Sequence, residues 1–421
     1  MNGTYRVFCP ACRGEQEPQA LRCAACGGLL AVGLSRALMP GEPHPFADVP
    51  GIGPMWRANP VLPISDPHSI VSLGEGGTPC IPAAHLGSGN HVFVWLKNEA
   101  ANPTGSFKDR QVSVGISHAR ELRQAGAGGG ACATQFCVVS SGNVAAAAGA
   151  YCARAGATCW VIAPAWAPAG KLLQIELCGA RVVRVEGASA QELFRLAEEA
   201  AMEFGWHPLS TAARSNPFNI VGARTIAGEI LEQMPPPDWV IVPVGGGGLL
   251  GSLWQGFHDA SLLRWGLRWP RLVGVQPEGC APFVRAVERE ATAAEALSNP
   301  WPEVRTIAGG LADDIPFDAH IALPAIRESG GTAVAVSDDE IRHAQRVLAQ
   351  QEGLFIEPSG AVTVAGLLRL MAEERIAAGE TVCCLLTGSG LKDPGSVGRM
   401  PKPAVIPPEI ERLRRVVQEA R

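Results

Sequence analysis

An α/β fold with largely parallel sheets is the architecture that this 421-residue sequence predicts. Three observations predict it. From about residue 90 onward, short apolar runs alternate with longer helix-like stretches, the pattern of repeated β-then-α units. The junctions between them are rich in Gly, Ser and Pro, residues that turn a strand sharply into a helix. The chain is also 47% hydrophobic and only 18% charged, which suits large buried cores and not a disordered segment. Its length allows two substantial domains with a small appendage.

In chain order, the first feature is Cys9-x2-Cys12, ten residues, then Cys23-x2-Cys26. Two CxxC knuckles so close together place four thiolates where a tetrahedral Zn²⁺ collects them at about 2.3 Å. The other reading is four unconnected cysteines in a terminal segment. A four-thiolate site is closed, so its metal would be structural. Residues 1–35 therefore read as a zinc-ribbon-like segment, and residues 36–70, rich in Pro and Gly, as a wandering connection. Strands are expected at Val92–Leu96, Cys137–Val139, Thr158–Ile162, Ala180–Val185, Trp239–Val244, Leu272–Val275 and Thr381–Leu386. Helices are expected after Lys108, from near Asn143 and over Pro168–Leu177, with a charged surface helix at Ile410–Arg421. In parallel sheets ligands bind where strands end and helices begin, so the junctions are where chemistry is expected.

Four junctions stand out. In Asn102-Pro-Thr-Gly-Ser-Phe-Lys108, Pro103 and Gly105 make a turn and Ser106 is placed to cap the next helix. Lys108 then lies near a positive helix end, where desolvation lowers an amine's pKa and makes it nucleophilic; an ordinary surface lysine is the alternative. Ser140-Ser141-Gly142-Asn143 joins a strand to a helix and offers a cradle for a carboxylate, or a simple N-cap. Gly245-Gly246-Gly247-Gly248-Leu249 lets backbone N–H groups wrap a phosphate at a helix start. Gly246, Gly248 and Gly251 also satisfy G-x-G-x-x-G, but the acidic residue a dinucleotide site wants is missing: Glu278 lies beyond the next strand end. Thr387-Gly-Ser-Gly-Leu-Lys-Asp393 closes an apolar strand, its hydroxyl suited to a heteroaromatic nitrogen or to capping a turn.

Other classes are disfavoured. Net charge is −5, so no basic field points to nucleic acid or membrane surface. No apolar run reaches the roughly 18 residues of a bilayer span. The start lacks the pattern of a secretory signal, and most of the thirteen cysteines sit among small apolar residues, so a cytoplasmic location is expected. The nine histidines form no H-E-x-x-H, and neither a G-x-S-x-G elbow nor a P-loop is present.

Together and in this order, these segments resemble the fold-type II enzymes that use pyridoxal 5′-phosphate (PLP), and within them the threonine synthases. The matches are Leu73–Pro79, NPTGSFKDR at 102–110, SSGN at 140–143, GGGGL at 245–249, GVQPEGC at 274–280, EPSGA at 357–361 and TGSGLKDP at 387–394. The Cys9–Cys26 segment is similar to the N-terminal knuckle of many threonine synthases. The resemblance implies two open twisted α/β domains, the larger of residues 36–109 and 231–421 and the smaller of 110–230. It implies that Lys108 carries PLP as a Schiff base and shuttles protons. Asn143 would touch the cofactor's 3′-oxygen, Gly245 to Leu249 would hold its phosphate, and Thr387 would face its ring nitrogen. Ser140, Ser141 and Gly142, with Asn219 and Arg224, would bind substrate, and the enzyme would be a homodimer converting O-phosphohomoserine and water to threonine and phosphate.

The chain departs from that pattern in its pocket. Threonine synthases commonly carry a basic residue and a glutamate where this sequence has Asn219 and Val221; Arg224 replaces a lysine, Val144 a threonine, and Ser389 a His or Asn. A bridged Asn219, or Arg224 or Lys97 reaching across, would compensate for the lost cation. The competing readings are a paralogue acting as a serine/threonine dehydratase or on O-phosphoserine like a cysteate synthase, a non-catalytic PLP-binding protein and, from the glycine motif alone, an NAD-dependent oxidoreductase.

Overall fold

The apolar runs become the parallel cores of two sheets. The structure, a computed structural model, describes residues 5–34, 49–57, 62–126, 134–167, 169–188, 190–261, 268–398 and 403–419. Its strands are β1 (Tyr5–Phe8), β2 (Glu15–Gln16), β3 (Ala31–Leu34), β4 (Cys80–Pro82), β5 (Phe93–Asn98), β6 (Gln135–Val139) and β7 (Thr158–Pro164). They continue with β8 (Arg181–Val185), β9 (His207–Pro208), β10 (Trp239–Pro243), β11 (Arg271–Pro277), β12 (Thr332–Val336) and β13 (Thr381–Leu386). The helices that matter for the site are α1 (Lys108–Gln124), α2 (Asn143–Ala155), α3 (Ala169–Leu177), α4 (Ala190–Phe204), α5 (Thr225–Gln233) and α6 (Gly248–Ser261).

The larger sheet runs β12-β11-β10-β13-β5-β4, parallel throughout except for β4, which pairs antiparallel with β5. Alternate residues of its strands feed opposite cores. Ile241, Val273, Val275, Cys384 and Leu386 pack beneath the helix Pro358–Ala372. Val240, Val242, Leu272, Cys383 and Leu385 pack against α5 and α6. A sheet covered on both faces needs near-continuous apolar strands, and WVIVP at β10 and TVCCLL at β13 supply them. The smaller sheet, β8-β7-β6-β9, is all parallel and packs on α2 and α3 through Phe136, Val138, Val161, Leu172 and Ile175.

The N-terminal strands form a three-stranded antiparallel ribbon, β2-β1-β3. It is tied to the body: Val7, Cys9, Cys23 and Val32 share a core with Met55, Trp56, Val114 of α1, and Phe218 and Val221.

Helix α1 carries a buried ionic knot. Arg110 donates to Glu99 from Nε at 2.7 Å and to Glu229 of α5 from Nη1 at 2.6 Å, while Lys97 reaches the same Glu229 at 2.7 Å. Thr78 and Thr225 take up further guanidinium hydrogens. Arg110, Glu99 and Lys97 have no exposed surface. The knot joins the end of β5 to α1 and α5 and so fixes the residue two places before it.

Ser106 does not cap α1. The residue before the helix is Phe107, without a side-chain cap, and Ser106 makes an isolated bridge to Gly388 that leaves its buried hydroxyl without a partner among the described residues. Asp109 instead anchors the turn, accepting from the Thr104 N–H at 2.7 Å and its hydroxyl at 2.5 Å. The C-terminal helix spans Ile410–Glu419 and is exposed over Ile410–Arg415. No helix among the described residues is long and apolar enough to cross a membrane.

Candidate active site

Four strand ends open onto one cleft of about 1350 Å³ between the two sheets. The β5 side brings Lys108 as the first residue of α1, and β6 brings Ser140 to Asn143 at the start of α2. From β10 come Gly245 to Leu249 at the start of α6, and from β13 comes Thr387. All are at C-terminal strand ends, where ligands sit in open α/β sheets.

The turn before Lys108 forms as its sequence requires. Gly105 donates to the Asn102 carbonyl at 2.8 Å and adopts φ 84°, a conformation natural only to glycine. Lys108 Nζ is then held by two side chains, Gln111 Oε1 and Thr211 Oγ1, each at 3.1 Å. Withdrawal from water lowers its pKa to about 8, against the opposing pull of Asp313, Asp318 and Glu357. An amine at that value is substantially neutral at mildly alkaline pH, as a nucleophile and proton carrier must be.

The glycine run is a close-fitting cradle. A Cβ at Gly245 would lie 2.6 Å from the Asp313 carboxylate, one at Gly247 2.8 Å from Ala322, and one at Gly248 2.5 Å from the Asp318 carboxylate. Gly247 also takes φ 97°. Bare backbone therefore faces the cleft at the positive end of α6, an arrangement suited to a phosphate. Gly247→Ala is expected to weaken cofactor retention by at least about tenfold, read by dialysis and absorbance, because both the backbone angle and Ala322 oppose a side chain. The dinucleotide motif fails here on geometry, since Gly251 packs on Ile321 and Glu278 pairs with Arg369 on the surface.

Asn143 donates from Nδ2 to Glu357 at 2.8 Å, and Thr387 is buried with its carbonyl accepting from Phe107 N–H at 3.0 Å. Gly142 N–H is turned onto Ser140 Oγ at 3.1 Å. Two acids stand by the glycine loop. Burial raises Asp313 and Asp318 to about 6 each, with Lys108 among the groups pulling them down. Asp318 accepts from the Ala213 and Arg214 N–H groups at 3.0 and 3.2 Å.

Two expected substrate residues are not in the cleft wall, which corrects the sequence reading. Asn219 and Arg224 lie on the 3-10 segment Asn219–Arg224, buried between α1 and α6. Asn219 crowds Gly115 of α1 and donates to the Ser210 carbonyl at 2.8 Å. Arg224 turns the other way, donating to Val32 O of the ribbon at 2.9 Å and pairing with Asp259 at 3.5 Å. Lys97 is consumed by Thr78 O, Glu229 and Gln233. Sequence reasoning missed Gln111, Thr211, Asp313 and Asp318. Gln111 alone had a signal, one helical turn after the lysine.

Away from the cleft, the sulfurs of Cys9, Cys12, Cys23 and Cys26 all lie within 4.8 Å of one another, with Cys9–Cys26 at 3.6 Å and Cys12–Cys23 at 3.5 Å. Four sulfurs bound tetrahedrally to zinc stand about 3.8 Å apart, so the cluster is compatible with that ion.

Comparison with known proteins gives a consistent result. The family described as "Pyridoxal-phosphate dependent enzyme" matches residues 71–388. A threonine synthase of Methanocaldococcus jannaschii is 38% identical, covering 87% of each chain. One of Methanosarcina acetivorans is 34% identical over 98% of each, and one of Mycobacterium tuberculosis is 36% identical over 85% of this chain and 93% of its own. Among solved structures, maize serine racemase superposes with TM-score 0.61 at 22% identity, covering 75% of this chain and 89% of its own, a likeness of fold alone.

Proposed function

The chain belongs to the pyridoxal-phosphate dependent enzyme family, and on that footing we propose that it acts as a threonine synthase. It takes O-phosphohomoserine and water to threonine and phosphate. The observation that carries the reading is the convergence of Lys108, Asn143, the Gly245–Leu249 loop and Thr387 on one cleft, in a chain 38% identical to a threonine synthase over most of its length.

Those residues fit PLP by their chemistry: a desolvated amine, a bare glycine cradle at a helix start, an amide and a neutral hydroxyl. Lys108 would hold the cofactor covalently, the glycine loop its phosphate, Asn143 its 3′-oxygen and Thr387 its ring nitrogen. PLP, when bound, supplies an electron sink for the electron pair left at the substrate's α-carbon. The rest is the protein's work. Ser140, Ser141 and Gly142, at the start of α2, bind the substrate carboxylate and so present the Cα–H bond to Lys108. Lys108 removes the α-proton and then a β-proton; phosphate leaves Cγ with the electrons of its C–O bond. A proton is placed on Cγ, water adds its hydroxyl at Cβ, a proton returns to Cα, and the remaining proton goes to the departing phosphate. Each time its amine is free, Gln111 and Thr211 hold it over the reacting carbons. A neutral Thr387 donates or accepts one hydrogen bond without placing a charge on the ring nitrogen. The test is release of inorganic phosphate and threonine from O-phosphohomoserine by purified, PLP-loaded protein. Dominant formation of 2-oxobutyrate from threonine would assign it instead to the dehydratases.

Three finer assignments belong to the same reading. The segregation of residues 80–98 and 239–386 into one sheet and 135–208 into the other supports domains of 36–109 with 231–421, and of 110–230. The four cysteines hold one structural Zn²⁺. Elemental analysis is expected to find about one zinc per chain in the wild type, and Cys9→Ser with Cys23→Ser is expected to lose it and lower the melting temperature. We assign the active unit as a homodimer, to be checked by sedimentation.

A further inference from the structure

We propose that Lys392 binds the phosphate that leaves the substrate, replacing the cation that position 219 lacks; this rests on the reading of the enzyme as a threonine synthase. A dianionic group entering a recessed cleft needs a cation or a cluster of donors. Every candidate named from the sequence is engaged elsewhere: Asn219 with Ser210, Arg224 with the ribbon and Asp259, Lys97 with Glu229. Among the described residues that line the cleft there is no arginine, and the cations are Lys108 and Lys392 alone. Lys108 is committed to the reacting carbons.

Lys392 is placed for the task. It ends the short 3-10 turn Gly390–Lys392 that follows β13 and Thr387. Its stem lies over the turn that delivers Lys108, and a Cβ at Gly105 would come within 3.0 Å of its Cε. Glycine at 105 therefore leaves room for it. Its ammonium has no hydrogen-bond or ion-pair partner among the described residues. The two carboxylates that act on it from a distance are both occupied, Glu357 by Asn143 and Asp109 by Thr104. Burial disfavours its charged form, a cost that an incoming anion relieves. The glycine-loop side is the wrong place for a second phosphate, because in the proposed reading the cofactor's own phosphate would occupy it.

The experiment compares wild type, Lys392→Gln and Lys392→Arg as PLP-loaded full-length protein. It measures bound cofactor by absorbance, kcat and KM for O-phosphohomoserine, and competitive inhibition by inorganic phosphate. Lys392→Gln is expected to keep its cofactor, raise KM by about 10- to 100-fold and lose phosphate inhibition, with Arg restoring most of both. An unchanged KM and phosphate inhibition constant in Lys392→Gln would overturn the proposal. So would loss of bound cofactor, which would place the lysine on PLP. If the wild type does not turn over O-phosphohomoserine, the functional reading fails. Inorganic phosphate binding, seen as a perturbed cofactor band, then decides Lys392: binding lost in Lys392→Gln supports an anion site, and binding absent from the wild type or kept in the variant rejects it.

Discussion

Lys108→Ala is expected to abolish turnover, with kcat falling by at least about 10³-fold. The same protein should lack the visible absorbance of lysine-bound cofactor and resist borohydride trapping. Both losses follow from one atom. Nζ is the group at the cleft that is both nucleophilic and free to move protons, and its neighbours Gln111 and Thr211 carry none of that capacity. Lys108→Arg should fail equally, because a guanidinium stays protonated. The pH dependence has a definite sign. With the free amine at about 8, the rate at which apoprotein takes up PLP covalently should rise with pH through that value and level off above it. A flat profile between pH 6 and 9 would contradict the desolvated amine. Loss of turnover with normal absorbance would move the covalent link to another lysine.

Arg110→Met should have the largest effect on stability, about 3–5 kcal/mol in denaturant unfolding. The guanidinium is the common partner of Glu99 and Glu229, and its removal strands Glu99 in a dry interior. Lys97 still compensates Glu229 in part. Burial alone would raise the Glu229 pKa, yet Arg110 and then Lys97 hold it down at about 2. A depressed carboxylate stabilises the fold above its ordinary pKa, and the contribution fades as pH falls toward the depressed value. The gap between wild type and variant should therefore shrink between about pH 4.5 and 2. A cost under about 1 kcal/mol would mean that the knot is solvated in solution. Arg110→Lys keeps the charge but loses the fork that serves both acids, so its cost should be intermediate.

The two effects are separable although the residues are two apart. One removes a reactive atom and spares the fold; the other strikes the fold and reaches catalysis through the placement of α1.

Much of the architecture is legible in the sequence because the strands are apolar on both faces. Thr381–Leu386 has the bounds expected of it, and the other expected strands agree to within a few residues. What escapes is what lacks that signature. Cys80–Pro82 is a three-residue edge strand interrupted by proline, and Thr332–Val336 alternates small residues without a long apolar run. At the site, backbone-determined features are readable: the turn at Gly105, the helix start at Asn143, the cradle at Gly245 to Gly248. Features set by long-range packing are not. Arg224 points to a ribbon almost 200 residues earlier, and Lys97, an unremarkable residue at the end of a strand, is wholly buried. Asp313 and Asp318 reach the cleft from a loop with no distinctive pattern.

The order of the larger sheet also sets when the protein can become whole on the ribosome. Strand β13 lies between β10 and β5, and it is among the last strands to be made. Until residue 386 emerges, β5 and β10 lack the neighbour that joins them, and the apolar faces meant for Pro358–Ala372 and α6 stay open. The smaller sheet has no such wait, since its four strands are complete by residue 208. Nascent chains stalled beyond the smaller sheet but before β13 should thus carry one compact unit and a long adhesive stretch that recruits chaperones. Premature termination anywhere before β13 leaves no partly working enzyme, only material for degradation.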